Sequence, residues 1–242
     1  MMTMTFEQQV KQQIHDHPTS RIQSLHYNGE VYFIKRCIPN GRNTFAKANP
    51  ITAFLGEAYK MTAVNSRIPL APDIVLWGYD YFVMKGCGQT LQNIAKEDAW
   101  KPLRRHIFEK AGKSLALLHR EGLHHGRPAL RDIAYDQRSD KITFLDWENE
   151  QRWLHIMPET LDILLFIHSC FREEWPDREL LDAAVSGYLS VPGSRSILKN
   201  LNDFIHAHPI FFASCHYLSV FHWIDVVSLD KACQYIASYD TP

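Results

Sequence analysis

The sequence has no excess of positive charge. In 242 residues, 26 Lys and Arg stand against 27 Asp and Glu, a formal net charge of −1 at pH 7. That balance removes the electrostatic case for a nucleic-acid partner, which needs a basic face to neutralise phosphates. Long apolar runs are missing too. A run such as Ile163–Ile167 is far too short to cross a bilayer, so no transmembrane segment is expected, which leaves room only for peripheral membrane contact. The opening MMTMTFEQQV has neither a basic region nor an apolar stretch, so no signal peptide is expected. The 5 cysteines (37, 87, 170, 215 and 233) are scattered without a C-x-x-C pair. This argues against a disulfide framework or a zinc site and for reduced thiols in the cytoplasm. No internal repeat or low-complexity linker is visible, and nothing ahead of Lys35 reads G-x-G-x-x-G.

What is present is an apolar content of 45%, sufficient for the core of one domain or two small lobes. Residues 6–16 predict a short polar helix that His17-Pro18 ends. RIQSLHY and EVYFIKRC flank Asn28-Gly29, a pair that tolerates the positive φ of a type I′ turn, so a β-hairpin is expected. Lys35 lies near the end of its second strand. The loop over 37–50 carries Arg42 and Lys47, which can touch phosphate or stay solvated. Residues 51–64 predict a helix, with Phe54, Ala58 and Met61 at helical spacing and Glu57 among them. IVLWGYDYFVMK predicts a second hairpin around Gly78, ending at Met84-Lys85. Thr90 is a natural N-cap for the helix after it. Over 99–121, Leu103, Ile107, Ala111, Leu115 and Leu118 mark a buried helical stripe, and Gly122 supplies the C-cap. His119 and His124 flank this end without a zinc-like spacing. Beyond Glu150 the chain reads as helical, with helices over 177–190 and 195–207. The aromatic-rich stretch 209–239 is expected to pack into the larger lobe.

The stretch 117–150 organises the rest. After Gly122 comes a polar loop with His125, Gly126, Arg127 and Asp132, then the β-rich run KITFL, then Asp146. A carboxylate just past a buried strand is held rigidly and can keep a cation against a phosphate. Asp132 precedes Asp146 by fourteen positions, in a loop able to fold back. Two carboxylates presented together suit a hard divalent ion such as Mg2+.

These residues resemble the catalytic loop and metal-binding turn of the protein-kinase-like superfamily, H-R/G-D-x-x-x-x-N followed by a strand and D-F-G. The bacterial branch with lipopolysaccharide (Kdo/heptose) kinases and RIO-type kinases is the nearest in pattern. His125-Gly126 matches the opening pair, Arg127 falls at the catalytic Asp, Asp132 at the metal-ligating Asn, and Asp146-Trp147-Glu148 replaces D-F-G. A second register reads Leu130-Arg131-Asp132 as H-R-D and leaves Gln137 at the Asn position. Spacing and the His-Gly pair favour the first.

The resemblance implies an α+β fold. A small antiparallel-sheet N-lobe would span residues 1–85 and a mostly helical C-lobe 86–242. It implies ATP and Mg2+ as cofactors and a hydroxyl-bearing acceptor as partner. Asp132 and Asp146 would hold the metal, and Lys35 in VYFIK, oriented by Glu57, the ATP phosphates. Met84 and Lys85 would open the inter-lobe hinge that runs on through Gly86 and Gly88 to Leu91, where an exposed strand edge meets adenine. His125 would organise the loop. Arg127 cannot accept a proton, because its pKa is above about 12, so it would stabilise charge rather than act as base. Asp162 resembles the buried helix Asp that hydrogen-bonds the catalytic loop. The bare alternative is an Asp favoured by the helix dipole. Two functions follow: ATP-dependent phosphoryl transfer to a sugar-type, small-molecule or protein hydroxyl, or a pseudokinase acting as a binding module.

Overall fold

The computed structural model describes residues 4–38, 50–147, 156–173, 177–219 and 223–239. Arg42, Lys47, Glu148 and Glu150 lie outside them. The chain divides into two compact units, Met1–Gly88 with Leu145–Glu148, and Gln89–Phe144 with Asn149–Pro242.

The first unit contains α1 (Phe6–Asp16), β1 (Ile22–Tyr27), β2 (Glu30–Arg36), α2 (Pro50–Asn65), β3 (Ile74–Trp77) and β4 (Tyr81–Lys85). Thr5 starts α1 with a reciprocal cap: its hydroxyl accepts from Gln8 N–H, while the Gln8 side chain accepts from Thr5 N–H. The expected turn forms at Asn28 (φ 49°) and Gly29 (φ 79°). The four strands pair antiparallel in the order β1-β2-β4-β3. One face of this sheet packs on α1, joining Val10 to Leu25, Ile34, Tyr81 and Val83.

The second unit contains β5 (Gln89–Thr90), α3 (Leu91–Lys96), α4 (Arg104–Arg120), β6 (Ile133–Asp136), β7 (Lys141–Phe144), α5 (Pro158–Phe171), α6 (Arg178–Leu189), α7 (Ser194–Ala207), α8 (Pro209–Leu218) and α9 (Ile224–Ala237). The α+β class with a small antiparallel sheet and a mostly helical remainder is therefore the class observed. A three-stranded sheet, β5-β6-β7, adds to it. Only β7 was visible in the sequence, as the β-rich run KITFL; β5 has just two residues, and β6 lies directly after the polar loop without such a run.

Two expectations change. The helix expected over 99–121 starts at Arg104, after a separate 3-10 turn at Asp98–Trp100. Pro102 has no N–H for the Asp98 carbonyl, which takes the Lys101 N–H instead. The stretch 209–239 does not pack uniformly. α9 buries Ala232, Tyr235 and Ile236, whereas α8 leaves Ile210, Phe211 and Tyr217 exposed. PIFFASCHYL is apolar on every side, so no single face can bury it all.

α4 and α6 cross with their backbones in close approach. A Cβ on Gly112 would collide with the Ala184 carbonyl, and one on Gly187 with the Glu109 carbonyl.

Candidate active site

In the first unit, β2 sets Lys35 opposite Phe82 of β4. Phe82 stacks on Phe54 of α2, ring centroids 4.9 Å apart. Glu57 lies three residues past Phe54 on the same buried helix face as Ala58 and Met61. The stack thus fixes the helix so that Glu57 reaches the lysine. Lys35 Nζ sits 2.5 Å from Glu57 Oε2, with side chains only 6% and 2% exposed. A pair this buried is held because each charge cancels the other's desolvation cost, and losing either partner strands a charge.

Leu145–Glu148 belongs to this same unit. Asp146 is half-buried and has φ +59°, in the left-handed region that Asp tolerates better than most residues. Trp147 beside it is fully buried and anchors the turn.

The expected hinge stretch starts at the end of β4 and runs on past it. β4 lies inside the sheet, between β2 and β3, with Met84 paired to Phe33 and Ile74. The Lys85 N–H donates to the Asp73 carbonyl and the Gly86 N–H to the Val31 carbonyl. The Lys85 ammonium is exposed, 3.7 Å from Glu30.

In the second unit, α4 ends in a Schellman turn: Gly122 N–H bonds the His119 carbonyl and Leu123 N–H the Leu118 carbonyl, with Gly122 at φ +67°. The loop beyond it hangs on Asp162 of α5. Asp162 Oδ2 accepts the His125 N–H at 2.6 Å and Oδ1 accepts the Gly126 N–H at 2.7 Å, with the side chain wholly buried. Of the two readings of Asp162, the loop-binding one is observed. Its bonds fall on His125-Gly126, the opening pair of the first register. The His125 ring is buried 5.8 Å from Phe144, and its Nδ1 accepts the Arg127 N–H at 3.3 Å. Farther along, the Leu130 N–H donates to Ser169 Oγ at 3.2 Å.

Arg127 and Asp132 come together: Nε of Arg127 lies 3.6 Å and Nε of Arg131 3.7 Å from Asp132 Oδ2. Asp132 is 7% exposed. A cation at this carboxylate competes with two guanidinium groups. Among the described residues no group of three or more His, Cys, Asp or Glu is arranged to hold a metal. Magnesium needs less, since it is commonly held by one or two carboxylates plus substrate phosphates. Asp146, a rigid and half-buried carboxylate, fits that requirement, whereas Asp132 fits it only when its arginines engage elsewhere.

Sequence reasoning missed the contributions of Ser169 and of Tyr188, whose hydroxyl lies 2.8 Å from His119 Nδ1. Neither stands in a motif. His119, at the helix end without a zinc-like spacing, is buried with Nε2 3.3 Å from Asp162 Oδ2.

No family model matches the sequence. Among solved structures, WbdD is similar at 15% identity and a TM-score of 0.42, over 74% of this chain and 46% of WbdD. The chain thus spans under half the length of that protein, a bifunctional kinase-methyltransferase. An ethanolamine kinase of Plasmodium vivax is similar at 12% identity and a TM-score of 0.41, over 89% of this chain and 81% of that one. An uncharacterized protein of Haemophilus influenzae is 30% identical over 181 residues, 72% of each chain. At that identity and coverage, the chain belongs to the same family as the Haemophilus influenzae protein.

Proposed function

We propose that the protein is a kinase-like, ATP-dependent phosphotransferase acting on a hydroxyl group. The buried Lys35–Glu57 pair carries this reading. An isolated surface lysine needs no such partner. A lysine held at 2.5 Å by a carboxylate that is itself buried has its ammonium fixed in place, as phosphate binding requires.

In this reading Lys35 binds phosphate oxygens and Glu57 orients it. Asp146 holds magnesium, which supplies charge neutralisation on the phosphates. Asp132 would be the second carboxylate available to the metal, and Arg127 and Arg131, which lie beside it, would turn to phosphate oxygens. Arg127 stabilises charge on the transferred group, and His125 keeps the loop in shape. Phosphoryl transfer suits a site without an evident base, because positioning and electrostatics supply most of its catalysis. Met84 and Lys85 are assigned to the adenine end. For the acceptor, a sugar of lipopolysaccharide type or another small hydroxyl compound is favoured over a protein Ser or Thr. A cytoplasmic location goes with this reading. The N-lobe is assigned to residues 1–85 and the C-lobe to 86–242.

The test is thermal unfolding with and without magnesium-ATP, on wild type and Asp146→Asn. Nucleotide at about a hundred times its dissociation constant adds about 2.7 kcal/mol of stability. A metal-dependent gain, lost in the variant and accompanied by turnover, supports the enzyme. A gain without turnover supports the second reading, a pseudokinase, which the Arg127–Asp132 pair favours. No gain with any nucleotide defeats the nucleotide site.

A further inference from the structure

Asp162 has one more partner beyond the two loop amides, and that partner has a partner. His119 Nε2 lies 3.3 Å from Asp162 Oδ2, and His119 Nδ1 lies 2.8 Å from the Tyr188 hydroxyl. The His119 and Asp162 side chains are 0% exposed, and Tyr188 is likewise fully buried. The row is therefore closed to bulk solvent and runs from α6, through the end of α4, to α5 and into the His125-Gly126 loop.

The chemistry of each group fixes the direction of the hydrogens. The Asp162 carboxylate only accepts, so His119 Nε2 carries a hydrogen. In the neutral ring Nδ1 is then the acceptor, and the Tyr188 hydroxyl donates to it. Burial holds the Tyr188 phenol well above its ordinary pKa, with Asp162 adding to that, so the hydroxyl remains a donor.

The helices are arranged to deliver this. Tyr188 follows Gly187, and His119 lies two turns beyond Gly112 on the same side of α4. Those two glycines permit the close crossing of α4 and α6. His119 and Tyr188 also meet ring to ring, centroids 5.7 Å apart and planes 75° from each other.

We propose that Tyr188 is a positioning residue for the His125–Asp132 loop, acting through His119, whose orientation and tautomer it sets, on the carboxylate that holds the loop amides. Packing alone needs a ring at position 188. Positioning needs its hydroxyl. The effect on turnover rests on the phosphotransferase reading; the effect on the loop does not.

The test is Tyr188→Phe in the full chain, with His119→Phe and the double variant beside it. Backbone hydrogen exchange of the segment holding His125 and Gly126 is followed by mass spectrometry. In Tyr188→Phe, exchange there rises about tenfold relative to the remainder of α4 and α5, because a buried acceptor has lost its donor. In the His119→Phe background the same change at 188 adds little, since the residue between tyrosine and carboxylate is gone. Where the wild type turns over nucleotide, Tyr188→Phe lowers kcat with KM unchanged. Unchanged loop exchange overturns the proposal. So does a rise spread evenly over the unit, or an undiminished effect of Tyr188→Phe in the His119→Phe background. Selective loop exchange in a wild type without turnover leaves the positioning role standing and defeats the enzymatic reading alone.

Discussion

Glu57 and Asp162 are both almost completely buried carboxylates, 2% and 0% exposed, and they are satisfied in opposite ways. Glu57 faces a full positive charge, Lys35 Nζ at 2.5 Å. Asp162 faces neutral donors, two backbone N–H groups and an imidazole. A carboxylate paired with a charge leaves that charge able to attract a third, anionic party. A carboxylate paired with backbone amides fixes the course of a loop and offers nothing further. The first arrangement is suited to holding a ligand and the second to holding the protein's own chain.

The sharpest way to break the comparison is to remove the Asp162 side chain. Asp162→Ala orphans two buried amides and an imidazole N–H, each costing about 1–3 kcal/mol, so a loss of about 5 kcal/mol is expected in urea unfolding. A loss below about 1 kcal/mol means that water or relaxation replaces the carboxylate. No second substitution rescues this variant, because two of the orphaned donors are main chain.

Glu57 behaves otherwise. Lys35→Met strands its charge and costs about 3–4 kcal/mol. The double variant Lys35→Met/Glu57→Leu removes both charges and recovers most of that loss, since well-packed apolar pairs commonly equal buried ion pairs. The same double variant loses all stabilisation by magnesium-ATP. Recovered stability with retained nucleotide binding breaks the assignment of Lys35 to phosphate.

The support beneath Asp162 is probed more gently at the α4–α6 crossing. Gly112→Ala pushes a methyl group into the Ala184 carbonyl, which is backbone and cannot rotate away. Overpacking of this kind costs about 1–3 kcal/mol, read as a lower urea midpoint with unchanged slope.

Sequence made one side of this comparison more legible than the other. Lys35 stands in a β-run next to a turn pair, and Glu57 keeps helical step with Phe54, Ala58 and Met61. Both are local patterns, and the Phe54–Phe82 stack that joins them needs only ordinary core packing. Asp162 was visible only by resemblance, because a single Asp near a helix start has a commonplace alternative. Tyr188 was not visible at all: its partner lies 69 residues away, and nothing local distinguishes a buried phenol that donates from one that fills space. The Arg127–Asp132 pair was hidden for a related reason. A motif register gives each position a role by itself, whereas the charges of a folded loop answer one another. At Met84 and Lys85 the hairpin was legible, but strand order was not. β4 turned out interior because β2 and β3 take its two sides, a non-local pairing that leaves no trace in a five-residue pattern.

The smallest effect separates Asp162 from another titratable group on the same helix. His168, six residues on, is pressed below its ordinary pKa of 6.5 chiefly by desolvation, against the upward pull of the Asp225 carbonyl at 3.1 Å. As pH falls below 6.5 the unfolded chain takes up this proton before the folded one does, so unfolding gains protons and stability declines. Above 6.5 both states carry the neutral ring and this contribution is fully present. The slope of unfolding free energy between pH 7 and 5 should therefore flatten in His168→Gln and persist in Tyr188→Phe. If instead it persists in His168→Gln, the proton is taken up by another group, and the desolvation of His168 is not what sets the slope.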